Sequence, residues 1–150
     1  MTSLEYLSLD DCHFLRTLPD SIQDLKMLRR MNLCNTSITE LPNTIGGLEY
    51  LLELDLSKTE VTKLPISIGN LRKLRKMSLC RTNIKELPNQ IGELESLLEL
   101  DLRDTYIIEL PISIGNLKKL RKMSLCWTDI KKLPNQIGGL ESLLELYLSE

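Results

Sequence analysis

The chain has 150 residues, of which 42% are hydrophobic, 27% charged and only 4% aromatic, and its formal net charge is -2. That size suits one domain with a buried core, and the near-neutral balance favours neither nucleic acid nor an anionic membrane as a partner. No basic segment leads into an apolar run at the start and no stretch approaches about 18 apolar residues, so the chain reads as soluble, intracellular and cytoplasmic.

A first block, built on Leu4, Leu7, Leu9, Cys12, Leu15, Leu18, Pro19, Ile22 and Leu25, reaches Leu28 in 24 residues. From there leucine recurs every 23 residues, at Leu28, Leu51, Leu74, Leu97, Leu120 and Leu143, and each full block follows LxxLxLxxTxIxxLPxxIGxL with Met31, Met77 and Met123 for the second leucine and Val61 for one isoleucine. The boundaries are 4–27, 28–50, 51–73, 74–96, 97–119 and 120–142, with a partial block at 143–150. Self-similarity at this period is the signature of a leucine-rich-repeat solenoid. The expected fold is therefore an α/β solenoid in one domain. A parallel β-sheet lines its concave face, and short irregular or 3-10 return segments form its convex face.

Within a block, alternation turns Leu97, Leu100 and Leu102 inward and leaves Leu98, Glu99, Asp101, Arg103 and Asp104 for other faces, which predicts a strand of about five residues. Thr105 then turns in, Ile107 and Leu110 refill the core, Pro111 fixes its φ, and residues 114–117 bring the chain back. One such unit cannot bury its own leucines, so each depends on its neighbours. At the ladder position stand Cys12, Thr36, Thr59, Thr82, Thr105 and Thr128, whose hydroxyls can serve backbone groups from inside.

The third strand site runs Tyr6, Arg30, Glu53, Lys76, Glu99, Lys122, Glu145. In an in-register parallel sheet opposite charges then face each other roughly 4.8 Å apart, favouring one register and a banded, nearly neutral concave face. Residues 51–96 and 97–142 match at 35 of 46 positions, and among the eleven differences only Val61 against Ile107 is a core site. Trp127, which stands where the sister repeat has Arg81, is the exposed aromatic that stands out, with Tyr147 and Tyr106 nearby. The candidate protein-binding residues on the concave face are Arg30, Lys58, Arg81, Arg103, Asp104, Trp127 and Tyr147. Leu52, Leu98, Leu144, Ile66 and Ile112 are expected to be at least partly exposed.

Cys34, Cys80 and Cys126 recur at an exposed strand site every 46 residues, two rungs or roughly 9.6 Å apart, while Cys12 points inward. A disulfide needs Cα atoms within about 7 Å, so no pair is available and a reducing, cytosolic compartment is expected. There is no CxxC, the single His13 has no companion ligand, and no metal or cofactor site is expected. Nothing brings a nucleophile, a base and a pocket together, so no enzyme is expected.

The CxxLxxLP form at Cys12, Leu15, Leu18 and Pro19, beside the TxIxxLPxxIGxL form from Thr36 to Leu48 and its later copies, resembles the leucine-rich-repeat region of plant intracellular nucleotide-binding immune receptors, especially the TIR-bearing class. That resemblance implies pathogen recognition or regulation of defence signalling. The implied partners are a pathogen effector, a guarded host protein or an adjoining nucleotide-binding domain. No GxxxxGKS or GxxxxGKT stretch is present, so nucleotide binding is not carried over. The alternative is an intracellular scaffold or adaptor of Ras-group type, and a bacterial effector is less favoured. Both ends fall on repeat strands without polar caps, so the chain is expected to be a segment of a longer array that frays or self-associates alone.

Overall fold

The computed structural model describes residues 3–149. Seven strands follow the leucine clock: β1 (Tyr6–Ser8), β2 (Arg30–Asn32), β3 (Glu53–Asp55), β4 (Lys76–Ser78), β5 (Glu99–Asp101), β6 (Lys122–Ser124) and β7 (Glu145–Tyr147). They pair in chain order into one parallel sheet, with the expected row in register from Tyr6 opposite Arg30 to Lys122 opposite Glu145. Between successive strands the chain returns through 3-10 helices η1 (Asp20–Asp24), η2 (Asn43–Gly47), η3 (Ile66–Asn70), η4 (Asn89–Glu93), η5 (Ile112–Asn116) and η6 (Asn135–Gly139). Each begins straight after a proline held extended, as at Pro111 with φ -64° and ψ 151°. The fixed φ turns the chain, and the missing N–H falls where no partner is needed.

The ladder strands have three residues, not five. Pairing nevertheless continues past their ends, because Arg75 N–H donates to Leu52 O and Leu79 N–H to Asp101 O at 2.7 and 2.8 Å. What shortens the strands is a corner. Asp11, Asn35, Lys58, Arg81, Asp104 and Trp127, one per rung, have φ between 55° and 60°. This left-handed conformation turns the chain out of the sheet while each backbone N–H still reaches the next rung, as from Arg81 to Arg103 O at 2.9 Å.

The core is the stack of inward leucines and isoleucines. In the middle rungs Leu74, Leu97, Leu102 and Ile107 are completely buried, whereas Leu4, Leu7, Leu143 and Leu146 in the outer rungs are only partly covered. The five threonines of the ladder each donate to the carbonyl three residues earlier, from Thr36 to Leu33 and from Thr82 to Leu79 at 2.9 and 2.8 Å. Their hydroxyls thus close their own rung's corner rather than a neighbour's turn. The extra residue of the first block is expelled: Phe14 is 98% exposed, and His13 O accepts from Ser37 Oγ at 2.7 Å.

The cysteines reverse their expected exposure. Cys12 is exposed because no rung covers its side among the described residues. Cys34 and Cys80 are half-buried and Cys126 is buried, because this column lies between the side chains of neighbouring rungs. Burial, reinforced by Asp55, pushes the Cys34 thiol up, and burial with Asp101 does the same at Cys80. Ser149 Oγ donates to Cys126 Sγ at 3.2 Å and lowers that thiol's pKa. All four are free. Burial of Cys126 shields its sulfur although the Ser149 bond favours its thiolate, so iodoacetamide should modify the exposed Cys12 before Cys126, read by peptide mass spectrometry over time. Faster modification of Cys126 would mean that its lowered pKa outweighs its burial.

Candidate functional site

The seven candidate residues divide between two surfaces and do not share the concave face. Arg30 on β2, Tyr147 on β7 and Arg103 just past β5 border a trough of about 570 Å³ along the sheet. Lys58, Arg81, Asp104 and Trp127 all occupy the left-handed corner and project from the lateral edge instead. Arg81, Asp104 and Trp127, with Tyr106 and Asp129, line a second, shallow recess of about 310 Å³ there. The reason is conformational: positive φ rotates the Cα–Cβ bond away from the strand's alternation, so a residue that counts as strand-facing in sequence leaves the sheet.

On the concave face the charges are engaged with one another. Lys76 and Glu99 approach to 3.1 Å, Lys122 and Glu145 to 3.3 Å, and the Arg30 guanidinium lies 4.8 Å from the centre of the Tyr6 ring. Tyr147 Oη donates to Glu145 at 2.6 Å, and this bond with Lys122 draws the Glu145 carboxyl below its usual range. The same contacts raise the Lys122 ammonium and the Tyr147 phenol. Arg103 is held by its own rung: Nε and Nη2 donate to the Asp101 carboxylate at 2.9 and 2.6 Å, which raises the guanidinium's pKa further. Asn32, Asp55 and Asp101 also accept the backbone N–H two residues on, at 2.9, 2.9 and 3.1 Å. Such exposed pairs each contribute about 0.2–1 kcal/mol and mainly set register.

The lateral edge is organised differently. Arg81 Nε donates to Asp104 Oδ2 at 3.1 Å, bridging two rungs. Beyond that pair stand Trp127, Tyr106 and Ile108, which are 67%, 56% and 58% exposed. Trp127 N–H donates to Ser149 O at 3.0 Å and φ is 60°, so the ring is held outward by a backbone that few bulky residues adopt. Ile108 had no singled-out role in sequence; its signal was the change from Thr62 in the sister repeat. The corner's hint was Asn35 and Asp104, residue types that tolerate this conformation, but Lys58, Arg81 and Trp127 in the same row obscured it.

A profile of the leucine-rich repeat region matches residues 1–79 and 67–150, together the entire chain. The chain belongs to the leucine-rich repeat family. No curated protein matches it. Among solved structures, a leucine-rich repeat protein of Leptospira interrogans is 33% identical with a TM-score of 0.87, over 89% of this chain and 34% of that one. An internalin of Listeria monocytogenes is 18% identical with a TM-score of 0.86, over 98% of this chain and 42% of its own. The second likeness is one of fold alone, and the chain spans less than half the length of either. The leucine-rich repeat fold suits a protein-interaction module. No helix among the described residues is long and apolar enough to cross a membrane.

Proposed function

We propose that this leucine-rich repeat chain recognises a protein partner through its lateral edge, with Trp127 as anchor and Lys58, Arg81 and Asp104 as its polar surround. The observation that carries this reading is a bulky aromatic at positive φ, more than half exposed, in a row otherwise filled by polar side chains. Every rung holds this corner as part of the fold, so what sets this rung apart is the bulky ring placed there, at about 1–2 kcal/mol against a residue that tolerates the left-handed region. Exposed Trp and Tyr beside Arg are the residue types that dominate binding energies. Arg30, Arg103 and Tyr147 on the concave face form the secondary contact region, since Arg103 and Tyr147 are engaged by Asp101 and Glu145 and Arg30 lies over the Tyr6 ring.

The partner class follows from the repeat dialect. Its two forms support a recognition or regulatory role in plant innate immunity, with a pathogen effector, a host protein or an adjoining nucleotide-binding domain as ligand. The four free cysteines support a cytoplasmic setting. A second reading, a repeat protein of bacterial type, is favoured by the 33% identity to the Leptospira protein. A Ras-group scaffold is the remaining alternative.

Trp127 is the single tryptophan, so it reports its own occupancy. A partner captured from plant extract, then purified and titrated, should shift the tryptophan emission to the blue and shield it from iodide. Trp127→Asn should raise stability by about 1 kcal/mol, since Asn accepts the left-handed region, while cutting affinity by about tenfold or more. A partner that binds the variant equally well, with unaltered emission on binding wild type, would place recognition elsewhere. Capture of a small GTPase would decide for the scaffold.

A further inference from the structure

The six segments that enter strands β2 to β7 carry a charge pattern that the chain's overall balance conceals. Residues 26–30, 72–76 and 118–122 read KMLRR, RKLRK and KKLRK, whereas 49–53, 95–99 and 141–145 read EYLLE, ESLLE and ESLLE. Eleven cations therefore stand against six carboxylates on one edge of a chain whose net charge is -2. Rung-to-rung hydrogen bonds stack the column Glu5, Arg29, Leu52, Arg75, Leu98, Arg121, Leu144, each N–H reaching the carbonyl below at 2.7 to 2.9 Å.

The charged columns on either side alternate in sign from rung to rung. Outside it Arg72 meets Glu95 at 3.7 Å and Lys118 meets Glu141 at 3.0 Å; inside it Lys76 meets Glu99 and Lys122 meets Glu145. Arg29 has Glu5 at 3.6 Å, but Arg75 and Arg121 are exposed and make no ion pair among the described residues. Lys119 is likewise exposed and unpaired there, and Lys73 lies 3.7 Å over the Tyr50 ring. Between the arginines sit Leu52 and Leu98, half-buried, and Leu144, 78% exposed. The result is an alternation of cation and apolar side chain, with the unmatched arginines two rungs apart.

We infer that this edge docks an extended, acidic protein segment with a carboxylate at every third residue and apolar residues between. Two rungs span roughly 9.6 Å, and one turn of polyproline chain advances three residues over roughly 9.3 Å, so carboxylates at that interval share one face and meet successive arginines. Arginine's planar fork suits carboxylates bidentately, and the leucines meet the residues between them. A helix returns side chains to one face after three or four residues, roughly 5–6 Å on, and at about 10–12 Å across it would also cover the flanking glutamates. A flat anionic surface would meet the flanking glutamates as well as the arginines. The extended segment is the geometry that touches the unmatched column alone.

The test uses the full chain and a synthetic peptide of about twelve residues with Glu at every third position and Pro between, against a peptide of the same composition with its Glu residues clustered. By fluorescence anisotropy at low salt, the periodic peptide should bind about tenfold tighter than the clustered one and weaken as salt rises. Arg75→Gln with Arg121→Gln should remove that advantage, with circular dichroism confirming an intact fold, while Trp127→Asn should leave it in place. Equal binding of the two peptides would overturn the proposal. So would stronger retention on phosphatidylserine vesicles than on the periodic peptide, or salt-sensitive self-association abolished by the double variant, which would assign the edge to a lipid surface or to a second copy.

Discussion

Replacing Gly115 by alanine should destabilise the array by about 1–3 kcal/mol, whereas the same change at Gly138 should leave stability unchanged or raise it by up to about 1 kcal/mol. The two glycines occupy the same site of successive repeats. A Cβ on Gly115 would lie 2.3 Å from the Gln136 carbonyl oxygen, and one on Gly138 would meet nothing within 4 Å. The obstacle at Gly115 is backbone, so η5 and η6 must separate. No glycine has positive φ, so alanine suits the local conformation at both sites and removes only unfolded-state freedom. Urea midpoints of the two variants should move in opposite directions or, at least, only the first should fall. Equal losses would mean that the glycines act through local backbone freedom and not through stacking distance.

The first return turn supplies an internal check on the same physics. Gln23 stands where later repeats have the stacking glycine, and the next rung answers with Gly47, whose Cβ would come within 2.8 Å of Gln23 Cβ. Space on the convex side is thus shared between neighbouring rungs, with at least one glycine at each of these close approaches.

Much of this architecture is legible because it depends on period. The inward leucines, the sheet order and the pairing of Lys76 with Glu99 follow from counting, since a parallel stack with one strand per repeat leaves a single in-register arrangement. What counting misses depends on dihedral angles and neighbours. The corner at Arg81 and Trp127 looks like continued strand, because a side chain of any polarity can stand there once the backbone is set. Cys126 repeats Cys34 and Cys80 in sequence but is the more buried, and Ser149 lies against it. The cationic edge escapes a whole-chain charge count because each basic segment is followed one rung later by an acidic one. Only the stacking tells which charges find each other and leaves Arg75 and Arg121 over.

Thr82→Val should cost about 1–3 kcal/mol although it conserves shape, and it should cost more than Thr128→Val. Thr82 is 1% exposed, and its hydroxyl donates to Leu79 O at 2.8 Å, a carbonyl that lies beyond the end of β4 at the corner. Valine fills the same volume but leaves that acceptor without its donor in a dry interior, which carries the desolvation penalty of an unmade hydrogen bond. Thr128 makes the same 2.8 Å bond to Leu125 O but is only part-buried, so water can replace the lost donor. Thr82→Ser keeps the hydroxyl and removes one methyl, for a loss of about 0.8 kcal/mol. At about 2–4 °C per kcal/mol for a chain of this size, thermal melts resolve the order Val at 82, then Val at 128. If both valine variants melt together near wild type, the row of threonines is kept for packing volume, and the left-handed corner that presents Trp127 closes without it.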